Sequence, residues 1–257
     1  MGDYDSFVAK FHTATGIDLT QYRQSQMERR LTTLRDRRGY ANFTHYLEAA
    51  LRDADLLAEL MDRLTINVSS FYRNPERWHA FGAWIAKNRE QQGTLRAWSA
   101  ACSTGQEPYT MAMVFSEFMT LSQMEILATD IDPHALRVGE HGVYSRDDLE
   151  AIPASVRERF IHVFDDTKDR FNDELRARIS FRLHNLLRDD FPENLDVVVC
   201  RNVLIYFTDD AKEKLYHKFS RSLRPRGILF VGSTEQIFHS ETYGLSQIAP
   251  FFYTRMP

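Results

Sequence analysis

Residues 98–110, WSAACSTGQEPYT, join an apolar strand to a helix through a turn of small and hydroxyl-bearing residues. In open α/β sheets, ligands lie at the carboxyl ends of such strands, beside the point where strand order reverses. A dinucleotide site lines this turn with glycines so that backbone N–H groups can touch phosphate oxygens. Here only Gly105 stands in the turn. Ser, Thr and Gln in the other places suit a nucleoside that carries no phosphate. S-adenosylmethionine is such a molecule, joining adenine and ribose to an amino acid. Asp130 ends the following strand, EILATD, where an acid takes the hydroxyls of a ribose. The competing reading of Asp130 is a helix N-cap or a surface acid.

Three more stretches converge on that face. TINVSSFYRN (65–74) is rich in side-chain donors and precedes the alternating part of the chain. LHNLL (183–187) follows the third strand, and CRNVLIYF (200–207) ends the fourth, where a reacting group projects.

The elements that must position these residues are of two kinds. Residues 1–65 carry amphipathic helical patterns, with Met27, Leu31 and Leu34 on one face, and read as a small helical domain. Residues 66–94 form a connecting segment. From Leu95 to the end at 257, strand-like runs (LRAWSAA, MEILATDID, ISFRLHN, LDVVVCRN, GILFVGS) alternate with helical ones (EPYTMAMVFSEFM, PHALRVGEHG, DDAKEKLYHKFSRSL). That alternation predicts a doubly wound α/β domain whose parallel strands are the continuous apolar runs. Residues 145–178 exceed a single crossover and read as an inserted subdomain of short strands. APFFYTR, near the end, is expected as an antiparallel edge strand.

Composition narrows the function classes. A formal net charge of −4 argues against a nucleic-acid binder. Cys102 and Cys200 lack a C-x-x-C or His cluster, which points to plain core residues with neither disulfide nor metal site. MGDYDSFVAKF lacks a signal-length apolar run, and no segment has the roughly 18 consecutive apolar residues of a membrane span, so a cytoplasmic location is expected.

Taken in order, INVSSFYRN, WSAACSTGQEPYT, ATDID, HNLL, CRNVLIYF and GSTE resemble the chemotaxis receptor methyltransferases, CheR, over essentially the whole chain. These enzymes transfer methyl groups to glutamate side chains of chemoreceptors. The resemblance implies a Rossmann-like class I methyltransferase domain behind a small all-α domain, with an inserted antiparallel β-subdomain. It implies S-adenosylmethionine as cofactor, S-adenosylhomocysteine as product and no metal. It implies that Asn67, Ser69, Arg73, Glu107, Asp130, Asn185, Leu186, Arg201 and Asn202 contact the cofactor, and that Arg73 and Tyr206 lie beside the transferring methyl. Two positions depart from the family pattern: Ser69-Ser70 stands for Thr-Ala, and Gln106 stands for Glu. The second departure leaves open whether Gln106 or Glu107 faces the cofactor.

A substrate glutamate, with an ordinary pKa of about 4.3, is ionised at neutral pH and needs no general base. The protein's task is then alignment and exclusion of water. Arg23, Arg30 and Arg37 recur every seven residues at the border of the Met27–Leu31–Leu34 stripe. They read either as snorkelling stems that shield the core edge or as a basic face that docks the acidic cytoplasmic helices of a receptor. The inserted subdomain resembles one that, in some members, adds a strand from a receptor's C-terminal peptide. Nucleic acid and direct membrane insertion are not expected. Two rivals stand beside this reading: a nucleic-acid methyltransferase, which would carry an Asn/Asp-Pro-Pro-aromatic turn or a Pro-Cys nucleophile that this chain lacks, and a non-catalytic sensor of the same ligand.

Overall fold

The protein is seen as a computed structural model that describes residues 2–65, 69–88 and 93–257. Its first part is helical: α1 (Asp3–Thr15), α2 (Gln24–Arg37), α3 (Phe43–Ala50) and α4 (Ala54–Thr65). Local chemistry sets the breaks. Gly16 ends α1 in the left-handed conformation at φ 73°, and Asn42 caps α3 by accepting the His45 N–H at 2.8 Å. Asp3 of α1 also accepts the Phe43 N–H at 2.7 Å, so one helix satisfies an orphan donor of another. Phe7, Phe11, Leu31, Tyr46, Leu47 and Leu60 are fully buried between these helices. Each contributes about 2 kcal/mol of burial.

The chain continues through α5 (Pro75–Asn88) into β1 (Leu95–Ala100), α6 (Gln106–Phe115), β2 (Met124–Asp130) and α7 (Pro133–His141). A small three-stranded unit follows, made of β3 (Val143–Ser145), β4 (Ile161–Val163) and β5 (Lys168–Phe171). The short helices α8 (Arg146–Leu149), α9 (Ala154–Phe160) and α10 (Asp173–Arg176) punctuate it. Then come β6 (Ile179–Leu183), β7 (Leu195–Cys200), α11 (Asp209–Ser222), β8 (Leu223–Val231), β9 (Leu245–Ala249) and β10 (Phe252–Arg255).

Seven strands make the main sheet in the order β6-β2-β1-β7-β8-β10-β9, and β3-β5-β4 form a separate antiparallel sheet. Strands β6, β2, β1, β7 and β8 run parallel, with Trp98 opposite Leu127 on one side and Val198 on the other. The chain moves outward from β1 to β6 and returns to β7, so strand order reverses between β1 and β7. This is the topology in which a ligand crevice opens at the strand tips.

Both faces of the sheet are covered. One carries α11 and, in the same continuous core, the amino-terminal helices; Trp98, Val198 and Leu229 pack there with Phe219, Phe207 and Tyr22. The other carries α5 and α6, with Trp78, Phe81 and Phe115 against Val197, Phe230 and Phe252. The helical part is therefore packed onto the sheet, and the crevice lies where they meet. No helix among the described residues is long and apolar enough to cross a membrane.

The carboxyl-terminal strand corrects the sequence reading. β10 is antiparallel as expected, but it lies between β8 and β9, and β9 forms the edge. LSQIA was not legible as a strand because only Leu245 is buried, and the other residues face water on this edge. The short helices α8, α9 and α10 also went unread, being too brief to show a helical period.

Candidate active site

The turn after β1 keeps the backbone shape of a nucleotide-binding turn although its glycines are few. Ala101 (φ 69°), Ser103 (φ 50°) and Gly105 (φ 95°) are all left-handed. Holding the two non-glycine residues there costs about 1 kcal/mol or more each, and such strain persists only where neighbours enforce it. The Cys102 N–H donates to the Thr129 carbonyl at 2.8 Å, the Ser103 N–H to Asp130 Oδ2 at 2.7 Å, and the Tyr144 hydroxyl to the Thr104 carbonyl at 2.7 Å. At Gly105 a Cβ would lie 2.8 Å from both Gly139 Cα and the Tyr144 hydroxyl, so only glycine fits.

Asp130, at the tip of β2, is buried, and its Oδ1 also accepts the Asp132 N–H at 3.0 Å. Burial pushes its pKa up to about 6 against the pull of these backbone bonds. The N-cap alternative falls to its neighbour: Asp132 caps α7 by accepting the His134 and Ala135 N–H groups. At the tip of β6, Asn185 Oδ1 accepts the Leu187 N–H at 3.0 Å and fixes the HNLL loop.

Arg201, at the tip of β7, donates through Nη2 to the Arg73 carbonyl and to Asn74 Oδ1, both at 2.9 Å. Its guanidinium lies over the Trp78 and Phe230 rings. Arg73 itself is flanked by left-handed Tyr72 and Asn74, with φ of 48° and 61°, which turn the connecting segment sharply at that residue. Glu107 Oε1 accepts from Ser99 Oγ at 2.8 Å, and its other oxygen is 4.0 Å from Arg201 Nη1. Desolvation pushes the Glu107 pKa up to about 7, partly offset by that guanidinium.

These residues enclose a crevice of two chambers that share Thr65, Ala101, Asp130, Val203 and Tyr206 as walls. One chamber is mainly apolar, with Leu64, Ile131, Leu186 and Phe207 beside Asn185. The other is polar, with Ser69, Arg73, Ser103, Glu107, Arg201 and Asn202. Each described residue expected beside the cofactor or its methyl group, Ser69, Arg73, Glu107, Asp130, Asn185, Leu186, Arg201, Asn202 and Tyr206, lines one chamber or both. Asn67 lies outside the described residues. Of the pair left open by sequence, Glu107 lines the polar chamber, whereas Gln106 is buried and accepts from Thr104 Oγ1 at 2.8 Å.

The basic column is rearranged. Arg23 is the residue before α2 and so stands off its helical face; it makes a 3.5 Å contact with Asp209. Arg37 pairs with Glu59 at 2.6 Å and remains 67% exposed. Arg30 turns back, donates to the Arg63 carbonyl at 2.8 Å and sits 6.0 Å from the centre of the Tyr206 ring. Two contributors were not picked out from sequence. Trp78 supports Arg201, and Ser103 anchors on Asp130; only folding brings these pairs together.

An apolar chamber, a buried acid at its border and a polar chamber lined by the cations Arg73 and Arg201 and the acid Glu107 offer the chemistry that adenine, ribose and a zwitterionic amino acid call for in turn. Comparison with known proteins agrees. Residues 2–65 match the family model described as CheR methyltransferase, all-alpha domain, and residues 67–250 match CheR methyltransferase, SAM binding domain.

The chain belongs to the CheR methyltransferase family. It is similar to the chemotaxis protein methyltransferase of Listeria monocytogenes, at 38% identity over 98% of this chain and 97% of the relative. The protein of the same name from Borreliella burgdorferi is 30% identical over 93% of this chain and 89% of that one. That of Escherichia coli is 29% identical over 88% and 81%. As a CheR family member the chain is an S-adenosylmethionine-dependent methyltransferase with a role in chemotaxis.

Proposed function

We propose that this chain methylates glutamate side chains in the cytoplasmic helical region of chemoreceptors, giving glutamate methyl esters and S-adenosylhomocysteine. The observation that carries the reading is the meeting of Arg73, Tyr206 and Asp130 on the walls of one two-chambered crevice at the β1–β7 reversal. The bound cofactor supplies an electrophilic methyl group on a sulfonium.

In this reading Asn185 and Leu186 bound the adenine chamber and Asp130 takes the ribose hydroxyls. Ser69, Glu107, Arg201 and Asn202 hold the amino-acid end, Glu107 facing its ammonium and Arg201 its carboxylate. Arg73 and Tyr206 orient the incoming carboxylate, which is already ionised, so no residue has to remove a proton. Tyr22 and Phe207, packed edge-to-face at 5.0 Å, close the apolar side against water. A carboxylate attacking a sulfonium neutralises charge as it reacts and asks for no metal.

Incubation with labelled S-adenosylmethionine and receptor-bearing membranes is expected to give receptor-bound label released by alkali, because carboxyl esters hydrolyse and N-methyl groups do not. Label that survives alkali would overturn the glutamate assignment. Binding of S-adenosylhomocysteine without any ester on receptor fragments would favour a sensor.

The receptor docks, in this reading, on the basic face of α2, with Arg23 at its start. Reversing Arg30 and Arg37 to Glu is expected to raise the KM for receptor roughly tenfold, through lost electrostatic complementarity. The affinity for S-adenosylhomocysteine in calorimetry stays unchanged. An unaltered KM would assign these arginines to the helical domain's own packing, where Arg37 already holds Glu59.

A further inference from the structure

Glu235 belongs to the GSTE stretch after β8 and is almost fully buried, yet it lines neither chamber of the crevice. Its carboxylate is committed to backbone donors. Oε2 accepts the Asn202 N–H at 2.7 Å and the Gly232 N–H at 2.8 Å, while the Ile205 N–H reaches Oε1 at 3.3 Å. Such donors are the kind that strand ends and short turns leave over. Asn202 is left-handed at φ 61° just past β7, and Ile205 sits in the single 3-10 turn Leu204–Tyr206. The seat is built for a carboxylate at close quarters. A Cβ on Gly232 would collide with Oε2 and stand 2.9 Å from the Asn202 nitrogen.

The residues thus held bracket the chemistry. Arg201 and Asn202, on the polar chamber, precede the turn, and Tyr206, on both chambers, ends it. We propose that Glu235 is a positioning residue for methyl transfer: one buried carboxylate ties the tips of β7 and β8 together and sets where Arg201, Asn202 and Tyr206 meet cofactor and substrate. The inference rests on the reading of the crevice given above. A carboxylate suits this place because both of its oxygens accept; a glutamine offers one oxygen and turns two hydrogens of its own toward a cluster of N–H groups.

The test is Glu235→Gln in the full chain, a change of one atom that preserves volume. S-adenosylhomocysteine Kd in calorimetry is expected to rise roughly tenfold, and kcat on receptor membranes to fall roughly tenfold, the scale of one lost hydrogen bond to a charged group. The melting temperature stays within a few degrees of the parent, since the fold's core is untouched. Hydrogen exchange speeds up over residues 201–206 and leaves β1 and β2 as they were. Gly232→Ala, which displaces the same carboxylate, reproduces the pattern, and the double variant is little worse than either single one.

Affinity and turnover within twofold of the parent would overturn the proposal. So would faster exchange across the whole sheet, which would make Glu235 a general support of the fold. Affinity and exchange require no receptor. A parent chain that binds S-adenosylhomocysteine but esterifies nothing would sink the substrate assignment, while these two measurements still decide the role of Glu235.

Discussion

Replacing Asp130 by Ala is expected to weaken S-adenosylhomocysteine binding roughly a hundredfold in calorimetry, with a much smaller effect on thermal stability. Two losses combine. The carboxylate that would accept the ribose hydroxyls is gone, and the Ser103 and Asp132 N–H groups lose their acceptor in a buried place. Each unsatisfied buried donor costs about 1–3 kcal/mol, and about 3 kcal/mol is a factor of roughly a hundred in Kd. Ser103 is left-handed and depends on that bond, so the turn after β1 relaxes in the ligand-free variant and must be re-ordered on binding.

Global stability suffers less because the ionised carboxylate is itself poorly solvated, which is what raises its pKa to about 6. Removing a group that is costly to bury returns part of what the lost hydrogen bonds gave. Asp130→Asn, which keeps the shape and one accepting oxygen, is expected to fall between parent and Ala. Unchanged affinity in the Ala variant would remove Asp130 from the site.

The main elements were legible where one physical signal dominated. β1, β2 and β7 are continuous apolar runs because neighbours cover both faces, and the stripe Met27–Leu31–Leu34 is buried as its spacing predicts. Asp130 was legible because a strand end is defined by the end of its apolar run. What stayed hidden depends on distant partners or on backbone shape. Nothing local in the sequence marks Ala101 and Ser103 as left-handed, since neither is glycine. The inward turn of Arg30 is set by the Arg63 carbonyl and the Tyr206 ring, thirty-three residues away in one case. Glu235 was visible only as the last letter of GSTE; its three backbone donors come from two strand tips that only the folded sheet brings side by side.

Acidification is expected to act on the ligand-free protein and on its affinity in opposite directions. Burial raises Glu107 from an ordinary 4.5 to about 7, and Asp130 from 3.8 to about 6. An acid whose pKa is raised by folding holds its proton more tightly in the native state. Its contribution to stability is therefore complete below the unfolded value and is lost as pH rises through the folded one. These two groups make the ligand-free protein less stable as pH climbs from about 4 to 7, Glu107 alone by a few kcal/mol at most, because 12% of its side chain remains open. Binding runs the other way. In the proposed site Glu107 meets the cofactor's ammonium only when ionised, so affinity for S-adenosylhomocysteine climbs with pH until the carboxyl is deprotonated. Between pH 5.5 and 8 the rise is roughly thirtyfold for a group titrating near 7. Calorimetry across that range measures it, and Glu107→Gln, which cannot titrate, should flatten the part due to this residue while lowering affinity at pH 8. A slope that persists unchanged in the Gln variant would place the controlling proton elsewhere, with Asp130 the next group to test by the same substitution.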